Sequence, residues 1–415
     1  MLEGKLGRLI RIGRLTVVRS DGPRWQFGDL DAAPDLDVAI RLKSNWTIFK
    51  LLAHPYLYIG ETFMSGELAM EKGAVSDLLD LIGRNANLRA EKRRVPIHHR
   101  ALYILGWAQQ INSPRSARGN IHRHYDFSER LYRAFLDPDL QYSCAYFRTP
   151  NATLQEAQEA KKKHIAAKLS LQPGQKVLDI GCGWGGLALH LARAADVEVL
   201  GVTLSTEQLR VARQRALDCG LDKRVRFELI DYRAVRGAFD RIVSVGMFEH
   251  VGKPQYGEFF AAIGRLLERN GVALVHAIGR MRGPGVTSAW IRRHIFPGGY
   301  IPALSEVAPV IERAGLWLTD LEVLRLHYAQ TLRLWRERFL RNRVSLSDLY
   351  DERFLRMWEF YLAASEMTFR HFGFMVFQAQ LSRDIAAVPL TRDYMAEAER
   401  TFGDSTPREA AELIA

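Results

Sequence analysis

The sequence predicts an α/β protein built on a doubly wound parallel sheet, carrying a helical cap and a small N-terminal α/β unit. Three observations predict it. Strand-like and helix-like segments alternate from Gln172 to Ile278. A buried strand runs directly into a glycine-rich turn at VLDIGCGWGG, residues 177–186. After Gly279 the alternation gives way to Pro- and Gly-rich loops and long helices.

Residues 1–115 form the predicted N-terminal domain. Leu15, Val17 and Val18 read as a strand that turns at Asp21-Gly22, and residues 37–68 and 75–88 follow with apolar spacing closer to helical than alternating. Phe49, Leu52, Tyr56, Leu57 and Phe63 either line a hydrophobic hollow or make up this domain's core. A boundary is expected at INSPRSARGN, residues 111–120.

The second domain is expected over 120–390. Its five parallel strands are Lys176–Ile180, then 197–204, 224–230, 239–245 and 272–278, with helices starting near Trp184 and over 206–219 and 256–267. Helices over 304–314 and 327–370 make the cap, a last strand covers 373–382, and 391–415 is a polar tail. A cap inserted here covers the carboxyl ends of the strands, where open α/β sheets bind ligands.

Composition bounds the partners. At 415 residues, 47% hydrophobic and 25% charged, the chain can bury two cores, which excludes a disordered protein. No run of about 18 apolar residues is present to span a bilayer. The start, MLEGKLGRLIRIGRL, lacks the apolar core of a secretory signal, so a cytoplasmic protein is expected. Cys144, Cys182 and Cys219 are too few for a disulfide framework or a zinc site, which fits a reducing compartment. The net charge of +11 favours an anionic partner, nucleic acid or an anionic membrane surface. Arg84, Arg89, Lys92, Arg93, Arg94 and Arg100 crowd around the single acid Glu91, either as a solvated face or as a lipid contact. His98, His99, His122 and His124 lack metal-ligand spacing, and no metal is expected.

The glycine turn has a context. Asp179 precedes it, the second strand ends in Thr203-Leu204-Ser205 where a dinucleotide fold would place a ribose-binding acid, and the third ends in Asp231-Tyr232. This arrangement resembles the S-adenosylmethionine site of class I methyltransferases. The resemblance implies that the amino-acid end rests on the loop at Gly181 and Gly183, oriented by Asp179. Thr203, Leu204 and Gln208 then line the ribose side, and Asp231 with Tyr232 frames the adenine.

Upstream, HYDFSERLYRAFLDPDLQYSCAYF at 124–147 is dense in aromatic and acidic residues. Together with GVTLSTEQ, MFEHVG, HIFPGGYIPALSEV and HYAQTLRLWRERF, it resembles the cyclopropane fatty acid synthases and the related mycolic acid modifying enzymes, over roughly 120–382. An N-terminal domain is a mark of the bacterial synthases. The resemblance therefore implies unsaturated phospholipid at a membrane surface as substrate, contact with anionic headgroups on the inner face of the membrane, and a homodimer; it implies no nucleic acid. Tyr142 and Ser143 are implied at the methionine part of the cofactor. A bicarbonate ion is implied among Cys144, Glu249, His276, Ile278 and Tyr328, with Cys144 and Ile278 giving backbone groups.

The chemistry has its own logic. Methylating an alkene makes a carbocation and then demands that the new methyl lose a proton, which an apolar pocket without water cannot accept unless a base is held there. Tyr146, Phe147, Phe248, Trp290, Tyr300 and Trp335 are candidates to face the cation, and each also reads as core. Glu249-His250 also reads as a charge pair at a helix start. His276 follows strand GVALVHAI, so it stands at a carboxyl strand end.

One departure concerns the outcome. Where the family often has a cysteine, the late helix has YLAASEMTFR with Ser365 and Glu366, so a thiol nucleophile there is excluded. The cation then either closes a cyclopropane or leads to a methyl branch. The remaining readings are a small-molecule amine methyltransferase and a lipid-binding module with a vestigial methyltransferase fold.

Overall fold

The computed structural model describes residues 2–20, 22–90 and 127–404. They fall into two compact units: the described residues of Met1–Tyr103, Val286–Pro297 and Ala329–Phe374, and those of Ile104–Gly285, Gly298–Tyr328 and Met375–Ala415. The expected boundary at 111–120, residues Lys92, Arg93, Arg94 and Arg100, and the four histidines 98, 99, 122 and 124 lie outside the described residues, as does the side chain of Arg89.

The first unit contains a four-stranded sheet of β1 (Arg14–Arg19), β2 (Arg24–Phe27), β3 (Asp37–Leu42) and β4 (Leu68–Lys72), ordered β2-β1-β3-β4. β1 runs parallel to β3 and antiparallel to β2, and β3 runs antiparallel to β4. Apolar spacing closer to helical was expected over 37–68, but its first six residues are a strand and its last, Leu68, opens another. In β3, Val38, Ile40 and Leu42 are buried while Asp37, Ala39 and Arg41 are less so, and that period of two suits a half-buried strand. Ser44 stops the strand by capping helix Asn45–Ala53, its hydroxyl accepting the Thr47 N–H at 3.2 Å.

Phe63 is core, as expected, but Phe49 and Tyr56 are 56% and 73% exposed. The helix turns Thr47 inward instead, where its hydroxyl donates to Glu67 at 3.1 Å, and this leaves Trp46 and Phe49 stacked on the outer surface. Arg84, assigned to the basic stretch, is neutralised by Asp80 and Asp35, both within 2.9 Å.

The helical stretch expected over 327–370 holds two long helices, His327–Asn342 and Glu352–His371. Asp351 starts the second by accepting the Phe354 N–H at 2.8 Å. Glu366 is buried there, and Arg336 and Arg370 donate to it at 3.2 and 2.8 Å. A carboxylate out of water needs such partners, so the position that departs from the family pattern is an internal charge clamp.

The second unit contains a seven-stranded sheet: β5 (Lys176–Ile180), β6 (Glu198–Thr203), β7 (Val225–Leu229), β8 (Phe239–Val245), β9 (Leu267–Arg280), β10 (Trp317–Leu324) and β11 (Phe374–Ser382). The order is β10-β11-β9-β8-β5-β6-β7, with β5, β6, β7, β8 and β9 parallel as expected and β10 antiparallel to β11. Both faces are covered. Leu178, Ile180 and Ile242 join one apolar cluster while Val177, Val199 and Val243 join another, so these strands carry apolar residues on both faces.

From β5 the chain winds outward to β7, then returns to place β8 on the other side of β5. A crevice therefore opens at the carboxyl ends of β5 and β8, the topological switch point. Residues past 391, expected as a featureless tail, form helix Asp393–Asp404, which packs on helix Leu154–Leu169.

Candidate functional site

All ten residues expected to bind the cofactor line one pocket at this crevice: Tyr142, Ser143, Asp179, Gly181, Gly183, Thr203, Leu204, Gln208, Asp231 and Tyr232. The loop after β5 is shaped by glycine. Gly181 has φ of 83°, and a Cβ there would sit 2.9 Å from Met247, so only glycine lets β5 turn this close to the end of β8. Thr203 donates to Gln208 at 3.0 Å and accepts the Ser205 N–H at 3.2 Å, which fixes the β6 end. Asp231 is held by Arg233, Nη2 to carboxylate, at 2.7 Å.

The wall formed by residues 140–143 is built from the LDPDLQY stretch. Asp137 accepts the N–H groups of Asp139 and Gln141 at 3.0 and 2.9 Å. Leu140 then turns the chain with φ of 57°, a left-handed conformation uncommon for leucine. Behind it, fully buried Lys161 donates to Gln141 Oε1 at 2.6 Å and to Ser143 Oγ at 2.8 Å. Burial brings its ammonium down to about 8, against the pull of Asp137.

Asp179 is 1% exposed, and burial pushes its carboxyl up to about 7, with Lys161 opposing. Its Oδ2 has no hydrogen-bond partner among the described residues. Gln141, Trp184, Arg233, Met247 and His250 also line the pocket and were not singled out from sequence for this role. Burial holds His250 at about 4, so its imidazole is neutral at pH 7.

A second group lies one step from the crevice, since Glu249 sits between the lining residues Met247 and His250 in a short 3₁₀ turn after β8. Glu249 Oε1 accepts the Ile278 N–H at 2.6 Å, which joins two of the residues expected to hold bicarbonate. Burial pushes Glu249 up to about 7, the Ile278 N–H opposing. His276 precedes Ile278 by two residues on β9, and burial drives it well below the usual imidazole range. The alternative reading of Glu249-His250 as a charge pair at a helix start meets the turn Phe248–His250, but burial there disfavours the charged form of both groups.

Gln378 of β11 faces His276, its amide nitrogen 3.1 Å from Nδ1, and it too was missed from sequence. Glu249 Oε2, His276 Nε2 and Gln378 Oε1 are all buried without a hydrogen-bond partner among the described residues. Buried polar atoms are normally paired, so three such atoms in one region fit a small polar guest with both donor and acceptor capacity. Cys144 is buried, its thiol donating to the Ala145 carbonyl at 3.3 Å, and Tyr328 is buried at the second position of helix His327–Asn342.

The aromatic candidates separate. Tyr146 lies flat between His164, at 4.1 Å, and His327, at 5.2 Å, and the Phe147 N–H donates to His327 at 2.9 Å. Tyr300 donates its hydroxyl to Glu306 at 2.7 Å and its N–H to the Glu249 carbonyl at 3.2 Å. Phe248 stacks on Tyr256 among Phe259 and Phe260, in the manner of a core residue. Trp290 and Trp335 belong to the first unit and are fully buried.

Residues 112–379 match the mycolic acid cyclopropane synthetase family. A cyclopropane-fatty-acyl-phospholipid synthase of Escherichia coli K12 is 38% identical over 348 residues, covering 83% of this chain and 88% of that one. A tuberculostearic acid methyltransferase of Mycobacterium tuberculosis is 43% identical over 393 residues, covering 89% and 88%. Among solved structures, a cyclopropane synthase from Mycobacterium tuberculosis is similar with a TM-score of 0.61 and 34% identity, over 64% of this chain and 97% of that one. A mycolic acid cyclopropane synthase complexed with SAH and CTAB gives 0.60 and 35% over the same shares.

Proposed function

The chain belongs to the mycolic acid cyclopropane synthetase family and is an S-adenosylmethionine-dependent methyltransferase, and from that premise we propose that it converts cis double bonds of phospholipid acyl chains to cyclopropanes. The observation that carries this reading is the buried pair Glu249 Oε2 and His276 Nε2, both unpaired among the described residues and adjoining a crevice lined by the glycine loop.

S-adenosylmethionine supplies an electrophilic methyl group. The crevice receives it by shape and charge: Gly181 and Gly183 let backbone approach, and the unpaired Asp179 Oδ2 suits an ammonium donor. Lys161 holds Gln141 and Ser143 in place beside it. With S-adenosylmethionine bound, transfer of its methyl to the alkene would leave a carbocation on the acyl chain, and ring closure would then require a proton to leave the former methyl.

Bicarbonate supplies a base for that proton when bound among Glu249, His276, Tyr328 and the backbone of Cys144 and Ile278. These residues fit it. Near neutral pH the protonated Glu249 carboxyl donates, and neutral His276 has one ring nitrogen available to donate. The same burial that shifts both groups keeps water from quenching the cation. Of the aromatic candidates, Tyr300 bonds the Glu249 backbone, whereas both faces of Tyr146 are covered by His164 and His327.

The substrate side rests on the first unit. Trp46 and Phe49 stack at 5.0 Å on an exposed surface with Tyr56 also 73% exposed, and exposed Lys43 precedes them. Amphipathic rings beside a cation suit the headgroup layer of an anionic membrane. Among the described residues no helix is long and apolar enough to cross one.

A second reading, methyl branching of the same double bond, is favoured by the relative named as a tuberculostearic acid methyltransferase at 43% identity. Structures named for amine methyl transfer, at 15% to 21% identity, show the fold alone. The test is to incubate the protein with S-adenosylmethionine and liposomes of unsaturated phospholipid and analyse the acyl chains by mass spectrometry. A ring adds one carbon and two hydrogens without consuming a reductant. An unchanged acyl profile sinks both lipid readings, and a methyl-branched or methylene product selects the second. W46A/F49A should weaken association with anionic vesicles; equal association removes the aromatic surface from the proposal.

A further inference from the structure

Gln378 stands in the middle of β11, a strand whose residues from Met375 to Ser382 are all buried. A primary amide there has a desolvation cost, and nothing about the sheet requires one. Its position across from His276 gives it a use: the amide nitrogen faces Nδ1 at 3.1 Å. An amide nitrogen only donates, so Nδ1 must offer its lone pair, and the single proton of a neutral imidazole is left on Nε2. Nε2 is the ring atom with no partner among the described residues, in the same region as the equally unpaired Glu249 Oε2.

We propose that Gln378 is a positioning residue that fixes His276 in the tautomer carrying its proton on Nε2, so that the imidazole presents a hydrogen-bond donor to the anion held beside Glu249. The role of that anion rests on the function proposed above; the tautomer does not. Two features of the fold support the assignment. The His276 carbonyl accepts the Gly246 N–H at 2.8 Å, so the backbone holding the ring is pinned between β8 and β9. On β9, Gly279 lies so close to β11 that a Cβ would be 2.9 Å from Phe377, so the amide and the ring are held at a fixed separation by two tightly packed strands. An orienting partner of this kind sets which ring nitrogen does the work, and its loss typically costs about 10- to 100-fold in comparable histidine sites.

The experiment is nitrogen NMR of the full chain labelled at histidine, with the His276 signals assigned by their loss in H276Q. The wild-type chain should show Nδ1 at the chemical shift of a bare nitrogen and Nε2 at that of a protonated one, without bicarbonate or lipid present. In Q378E at a pH where the new carboxylate is ionised, an acceptor replaces the donor, and the proton should move to Nδ1. Q378M, which removes the donor without adding charge, should give averaged signals and guards against a misfolded Q378E. Turnover should fall about 10- to 100-fold in both variants with the KM for S-adenosylmethionine unchanged. A proton on Nδ1 in the wild-type chain, or an unchanged tautomer in both variants, overturns the proposal. A shifted tautomer with undiminished turnover upholds the positioning and removes His276 from the chemistry, so failure of the functional reading is told apart from failure of this one.

Discussion

The cofactor crevice and the Glu249–His276 cluster adjoin each other yet are built on opposite principles. In the crevice, most polar side chains are satisfied from within: Thr203 by Gln208, Asp231 by Arg233, and Gln141 and Ser143 by Lys161. The cluster keeps three buried polar atoms without partners among the described residues. A satisfied network is rigid before its ligand arrives, whereas unpaired buried groups are costly until something pairs them. On the proposed function, one region is shaped for a ligand that comes and goes each turnover, and the other for a guest that stays.

The largest effect should come from Glu249→Gln, which keeps shape and removes the titratable oxygen. We expect turnover to fall by about 10³-fold, within the range for groups that handle a proton, with cofactor affinity by calorimetry unchanged. A parallel loss of cofactor binding would mean that the two regions are one. Lys161→Met tests the converse. It removes the charged donor behind Gln141 and Ser143, and hydrogen bonds from charged groups are worth about 1.5–3 kcal/mol, so the cofactor Kd should rise about tenfold or more while turnover at saturation changes little. An unchanged Kd would show that the wall holds its shape without it.

The smallest effect is on stability. Asp179 and Glu249 are both raised from the carboxylate range to about 7, so the folded state binds protons more tightly than the unfolded chain. Their contribution is therefore fully present below about pH 4 and is lost as pH rises through 7, at about 1.4 kcal/mol for each tenfold difference in proton affinity between the two states. The ligand-free Tm should fall by several degrees between pH 5.5 and 8. Glu249→Gln and Asp179→Asn should each flatten that slope, and a slope identical in both variants would show that neither group carries the effect.

How much of this could be seen beforehand follows from where each signal resides. The five parallel strands were legible because short Val-, Ile- and Leu-rich segments recur between helical ones, and the pocket because glycine, Asp179 and the strand ends stand close in sequence. β10 was missed because WLTDLEVL carries two acids and only its last residue is buried. β3 was misread because six residues are too few to separate a period of two from one of 3.6 when a helix follows at once. Lys161 and Gln378 were invisible for another reason: their partners are 18 and 102 residues away. Each did leave a trace, a lysine on the buried side of a helix and a glutamine in a mostly apolar strand.

Helix Leu154–Leu169 holds Lys161 toward the crevice, while further along it His164 bonds both Glu322 and Glu399, and Lys168 bonds Glu322. Glu399 belongs to helix Asp393–Asp404, whose Met395 and Ala398 are buried. Helix Asp393–Asp404 thus braces the rod that carries the cofactor wall. A protein engineer trimming the C-terminus for expression should keep everything through this helix, because a cut at 390 strips one carboxylate from His164, which stacks on Tyr146, and uncovers apolar surface on the rod.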